Sequence, residues 1–325
     1  MNRAMITGGA GFIGLHLART LAAEGWQVDL VDDFSRGARD AELDALAARP
    51  GVRVIGANLC EPEGWAGLAT DHDVIFHMAA IVGVANVLNN AFGVLERNVA
   101  MTVLALRHAE RQKALSRFVF ASTSEVYAGT LQHFGLPFPT PETVPLAIPG
   151  VELPRTSYML SKIYGESLCL QSGLPVTIIR PHNVYGPRMG MSHVVPELLK
   201  KAWAAPEGSE LEVFSVDHRR TFCYVDDAVI LMVRAAAAQA GRGATFNVGT
   251  QAPEVTMGEL AQVVMEAVGR HLSVKAMPMH PGSPPRRCPD TTLVDGVTGH
   301  ASRISLADGV ARTFAWYRDN VFTRT

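Results

Sequence analysis

Residues 3–14 read Arg3-Ala4-Met5-Ile6-Thr7-Gly8-Gly9-Ala10-Gly11-Phe12-Ile13-Gly14, an apolar run that breaks into glycines and passes at once into a helical pattern. The glycines satisfy both GxGxxG and GxxGxxG. At such a junction glycine permits a tight turn, lets the backbone approach a pyrophosphate and lets helix pack on strand, while the helix N-terminus offers amide donors and a partial positive charge. Alone, the pattern is also that of any tight turn. Its surroundings decide: a strand pattern before it, a helix after it with Ile13, Leu17 and Leu21 at fourfold spacing, and an acid closing the next apolar run. That acid is Asp32, followed by Asp33. A carboxylate there accepts from adenosine ribose hydroxyls and opposes a 2′-phosphate by about 1 kcal/mol at roughly 4 Å even in water, which favours NAD over NADP. Arg36 either accommodates a phosphate or is a solvated loop charge.

Outward from this unit the alternation continues. Short β-type runs recur at residues 4–7, 28–31, 52–55, 74–77, 118–121 and 176–180, with helical patterns between most of them. That rhythm predicts an α/β fold, a Rossmann-like doubly wound parallel sheet with a smaller mixed α/β C-terminal substrate domain. The expected NAD-binding domain takes in residues 1–180 plus about 221–250, and the substrate-binding domain residues 181–220 and 251–325. In the second half the pattern predicts a strand and helix over 222–238, a strand over 245–248, a helix over 257–268, a Pro-rich loop over 278–289 and a final helix near 306–317.

Composition narrows the class of function. At 325 residues, 48% hydrophobic and 18% charged, the chain can bury a large core, and a net charge of −2 gives no general attraction to nucleic acid or anionic membrane. Cys60, Cys169, Cys223 and Cys288 are far apart and lack metal spacing, so free thiols in a reducing cytoplasm and no metal are expected. The sequence opens directly on a strand pattern rather than a signal peptide, and its longest membrane candidate, 229–240, is short and carries Arg234.

Two stretches carry chemistry. Ala121-Ser122-Thr123-Ser124-Glu125-Val126-Tyr127 sets hydroxyls and a carboxylate just beyond a buried strand, where ligands of open parallel sheets sit. Tyr158-Met159-Leu160-Ser161-Lys162 places phenol and ammonium on one helix face. A cation so placed lowers a phenol's pKa towards working pH and makes it a general base.

In order, GGAGFIG, the VDD after the second strand, His77-Met78-Ala79-Ala80, Asn98, the STS before Glu125, YMLSK and Arg180-Pro181-His182-Asn183-Val184-Tyr185-Gly186-Pro187 resemble the extended short-chain dehydrogenase/reductases, specifically the NAD-dependent nucleotide-sugar epimerase/dehydratase family. The resemblance covers nearly the whole chain. It implies that Gly8, Gly11, Phe12, Ile13 and Gly14 line the cofactor pyrophosphate, that Asp32 and Asp33 hold the adenosine end, and that Asn58 and Leu59 flank adenine, Asn58 standing where the family commonly has Asp. Ala79, Ala80 and Asn98 match positions beside the diphosphate and nicotinamide ribose, although Asn98 is equally a helix-packing residue. Thr123 matches the catalytic Ser/Thr, Tyr158 the base and Lys162 the ribose-binding lysine. Asn183, Arg220 and Arg287 match a substrate-diphosphate clamp, with Arg219 left to solvent and His77 read as a core histidine.

The resemblance further implies a nucleotide-diphosphate sugar as substrate, a transient 4-keto sugar, and a homodimer built on helices around 92–112 and 156–172. Family dehydratases carry Asp and Glu after the Thr; here Ser124 replaces the Asp, which disfavours dehydration. Glu125 is either an acid/base or a carboxylate capping nearby amides. The expectation is a nucleotide-sugar 4-epimerase. TSEVY is also like the UDP-glucuronate decarboxylases, which makes decarboxylation the alternative, and a catalytically silent NAD-binding protein stands as the reading from another class.

Overall fold

The computed structural model describes residues 2–279 and 284–323. Seven parallel strands form the central sheet, in the order Thr245–Val248, β6 (Val176–Pro181), β5 (Arg117–Ala121), β4 (Val74–His77), β1 (Arg3–Thr7), β2 (Gln27–Asp32) and β3 (Val52–Gly56). This is the Rossmann-like sheet that the alternation predicts. Because side chains alternate across a strand, each strand feeds both faces. Ala4 and Ile6 of β1 join the core on one side, with Leu15, Leu17 and Leu21 of helix α1 (Phe12–Ala23). Met5 joins the other, with Phe118 and Phe120 of β5 and with Met101 and Ala105 of the helix Ala91–Glu110. Both faces are covered, which is why the strands read as continuous apolar runs.

From β1 the chain builds outward through β2 to β3, then returns to place β4 on the other side of β1. The carboxyl ends of β1 and β4 therefore frame the crevice where such sheets bind ligands.

Beyond β6 the chain forms smaller sheets. Glu210–Phe214 pairs in parallel with Ser273–Met277. Arg219–Arg220 pairs antiparallel with Val255–Thr256 and parallel with Arg286–Arg287. The helix Met257–Val268 starts at a capping box of Thr256 and Glu259 and stops at Gly269 in the left-handed region. The loop expected over 278–289 is corrected at Arg286–Arg287, which is strand; its residues 280–283 lie outside the described residues. All four cysteines are free, and no helix among the described residues is long and apolar enough to cross a membrane.

Candidate active site

The cradle at the crevice is made by glycines that tolerate no side chain. A Cβ on Gly8 would lie 2.9 Å from the backbone of Ala79, at the end of β4, and one on Gly14 would lie 2.3 Å from the Gly8 carbonyl oxygen. Gly8 also has φ of +67°, in the left-handed region. Gly11 caps α1 without a side-chain acceptor, which leaves the helix N-terminus to an external acceptor. Thr7 links the two loops: its hydroxyl accepts from the Ala79 amide at 3.2 Å and bonds the His77 ring at 2.9 Å. His77 is buried, and burial first, then the Lys162 charge, pulls its pKa to about 3. It is a neutral core residue.

The acids after β2 organise backbone. Asp32 accepts from the amides of Ala10 and Phe34, each at 2.9 Å, and thereby joins the glycine turn to the loop that follows β2. Asp33 is exposed and accepts from the Ser35 amide and hydroxyl at 2.9 and 2.6 Å. Asn58 accepts from the Cys60 amide at 3.0 Å, while Leu59 is buried in the core beside Trp65. Asn98 is buried and ties its helix to the loop after β4 and to the helix that carries Ser161, accepting from the Ile81 amide (2.8 Å) and donating to the Ile81 carbonyl (3.1 Å) and the Ser161 hydroxyl (3.3 Å).

Arg188 belongs to this cradle and was not anticipated. Its guanidinium donates to the carbonyls of Ala10 (2.7 Å) and Ala38 (2.6 Å) and pairs with Asp40 at 2.6 Å. The only sequence signal was its place after Gly186-Pro187.

The catalytic candidates converge from two elements. Thr123 caps the start of the short helical turn Ser124–Tyr127 that follows β5; its hydroxyl accepts from the Glu125 amide at 3.3 Å and hydrogen-bonds the phenol of Tyr158. Tyr158 and Lys162 lie one turn apart on the helix Pro154–Gln171. The expected acidification of the phenol by Lys162 is corrected here. The ammonium donates to the Ala121 carbonyl at 2.8 Å and sits 5.8 Å from the phenol ring centroid, over Phe120. Burial and then the Glu125 charge push the Tyr158 pKa up, against the Thr123 hydrogen bond and the Arg36 guanidinium. Lys162 is itself buried, and its pKa falls to about 8. Glu125 is exposed at the turn, and among the described residues its carboxylate caps no amide.

The proposed clamp residues come together through short strands. Register places Arg287 beside Arg220 and Arg286 beside Arg219. Arg219 and Arg286 both pair with Glu254 and are exposed. Arg220 is buried and donates to the carbonyls of Arg219 and Pro284; burial and then the Arg287 charge lower its pKa to about 10. The planar donors of a guanidinium suit the oxygens of an anion. Asn183, at φ +41°, donates to the Thr221 carbonyl at 2.9 Å and braces the strand end next to Arg220.

Residues 4–249 match the family model described as the NAD dependent epimerase/dehydratase family. The chain belongs to that family. NAD is accordingly its cofactor, and the cradle fits it: Gly8 and Gly14 let the turn after β1 pack directly against the Ala79 backbone and against itself, and α1 begins there with no side-chain cap, as a pyrophosphate-binding helix N-terminus requires. This epimerase/dehydratase family member is 32% identical over 331 residues to the UDP-N-acetyl-alpha-D-glucosaminuronate decarboxylase of Bacillus cytotoxicus, covering 98% of both chains. It superposes on the dTDP-glucose 4,6-dehydratase of Streptomyces venezuelae, solved with NAD bound, with a TM-score of 0.84 at 26% identity, covering 98% of this chain and 97% of that one. It superposes on a UDP-galactose 4-epimerase with a TM-score of 0.80 at 27% identity, covering 98% and 100%.

Proposed function

We propose that this family member is a nucleotide-sugar decarboxylase acting on a UDP-linked hexuronate, rather than the 4-epimerase expected from sequence. The observation that carries the reading is Glu125: a carboxylate with no structural duty, close enough to Tyr158 to raise its pKa. The likeness to a uronate decarboxylase over the full chain points the same way.

Tyr158 takes the proton of the sugar C4 hydroxyl, and Thr123, whose lone pair already accepts from the Glu125 amide, donates to the same oxygen. NAD, when bound, supplies the reversible hydride acceptor for C4. A uronate with a ketone at C4 is a β-keto acid; losing carbon dioxide leaves an electron pair that needs a proton at C5. Glu125, exposed at the turn, is the group that relays a proton from solvent to C5. A simple 4-epimerisation needs only one acid/base, which would leave Glu125 without a task. Lys162 steers the cofactor ribose, and Arg220, Arg287 and Asn183 take the substrate diphosphate. The epimerase reading is favoured by one feature, the YMLSK context of the base. The same proposal includes a homodimer through the helices Ala91–Glu110 and Pro154–Gln171, which leave Phe92, Tyr164 and Leu170 exposed.

The test is incubation with NAD and UDP-glucuronate, UDP-N-acetylglucosaminuronate or UDP-glucose, followed by product mass. Loss of one carbon dioxide from a uronate is expected. An unchanged mass with altered chromatography means epimerisation, and loss of water means dehydration; either would overturn the decarboxylase.

A further inference from the structure

Behind Thr123 lies a buried polar chain whose donors and acceptors have only one consistent assignment. Glu166 accepts two bonds from Arg180, at 2.9 and 2.6 Å. Arg180 donates to the Tyr127 hydroxyl at 2.8 Å, and that hydroxyl donates to Asn247 Oδ1 at 2.8 Å. The Asn247 amide cannot be turned round, because its Nδ2 donates to the carbonyls of Thr140 (3.0 Å) and Asp290 (3.1 Å). Its Oδ1 also faces His182 Nε2 at 3.0 Å, so Nε2 carries the proton. Nδ1 of His182 is then a lone pair, and among the described residues it has no partner although the side chain is buried. The ring is neutral: burial first, then the Arg287 charge, brings its pKa to about 3, with the Asn247 bond opposing.

His182 lines a cavity of about 20 Å³ whose wall includes Ser124, Phe138, Thr140, Arg287 and Cys288. Roughly 10–15 Å³ admits one water-sized group. The cavity is partly open, so it takes one hydroxyl or N–H projecting from a ring seated at its mouth. Ser124 is the residue after catalytic Thr123 and Arg287 belongs to the proposed clamp, so the cavity opens between the reacting end and the diphosphate end of the substrate.

We propose that His182 reads the sugar: its Nδ1 accepts a hydrogen bond from one hydroxyl or acylamino N–H of the ring seated between Ser124 and Arg287. This rests on the nucleotide-sugar reading of the site given above. The physical basis is asymmetry. A substrate that brings the donor satisfies a buried acceptor, whereas an analogue without it leaves that acceptor unpaired and is rejected more strongly than the hydrogen bond alone would favour the parent.

The experiment measures binding by titration calorimetry in a Tyr158→Phe background with NAD present, using UDP, UDP-glucuronate, UDP-N-acetylglucosaminuronate and the 2- and 3-deoxy forms of UDP-glucuronate. Adding His182→Phe should weaken at least one uronate roughly tenfold or more and leave UDP unchanged. One deoxy analogue should bind equally with and without that substitution, which identifies the donor. His182→Gln, which keeps both a donor for Asn247 and an acceptor for the sugar, should restore most of the affinity. Equal weakening of every sugar, or none, would overturn the inference. If UDP binds but no uronate does in the Tyr158→Phe protein itself, the functional reading fails and this inference falls with it.

Discussion

The Glu125 carboxylate and the Tyr158 phenol act on each other across the end of β5, and the carboxylate makes the phenol harder to ionise. Replacing Glu125 with Gln should therefore have two separable effects. Decarboxylation should fall by about 10²–10⁴-fold through loss of the carboxylate that relays a solvent proton to C5. At the same time the acidic limb of the kcat/KM profile should move to lower pH, because the base no longer ionises against a neighbouring negative charge. A pH–rate series on the variant measures both, and a limb that stays in place would remove Glu125 from the vicinity of the base.

Tyr158→Phe should abolish turnover while leaving NAD affinity within a few-fold, since the cradle is built from Gly8, Gly14 and the α1 amides rather than from the phenol. Single-turnover assays with cofactor titration check this. Undiminished turnover would eliminate the assigned base.

Arg188→Gln should weaken NAD binding. The guanidinium holds the Ala10 and Ala38 carbonyls and Asp40 together, so one side chain joins the glycine turn to the loop after β2. Hydrogen bonds to charged groups contribute about 1.5–3 kcal/mol, so a Kd increase of roughly ten- to a hundredfold is expected. Fluorescence titration with NAD provides the measurement, with UDP affinity as the control that should not move.

Stability should fall on acidification. His77 and His182 both have folded pKa values near 3, below the ordinary 6.5. Between those values the unfolded chain binds protons that the folded chain does not. Their contribution is thus whole above pH 6.5 and is lost as the pH falls towards 3, at about 1.4 kcal/mol per pH unit for each. Urea unfolding at pH 7, 6 and 5 should show this slope, and His182→Gln should make it shallower by close to one proton. A slope identical in the variant would contradict the buried neutral state.

The positions of β1 to β6 and of the principal helices were legible because each strand is a continuous apolar run and each helix has one apolar face; the glycine turn carried the cofactor, and YxxxK points to the proposed base. Other features left no local trace. Arg219–Arg220 and Arg286–Arg287 are strands of two residues, too short for any periodicity, and they pair across a long intervening stretch of chain. Arg188 and His182 act through partners far away in sequence, Ala10 and Asn247. The Lys162 expectation failed for a related reason: fourfold spacing places two side chains on one face but does not say that the Ala121 carbonyl will capture the ammonium.

The side-by-side register of Arg220 and Arg287 reaches beyond catalysis. Neighbouring cations repel, and an anion seated between them turns that repulsion into cohesion between segments that are remote along the chain. Saturating nucleotide would then behave as a mortar, raising resistance to heat and proteolysis as its concentration climbs past Kd. The lifetime of the protein would follow the supply of its own substrate.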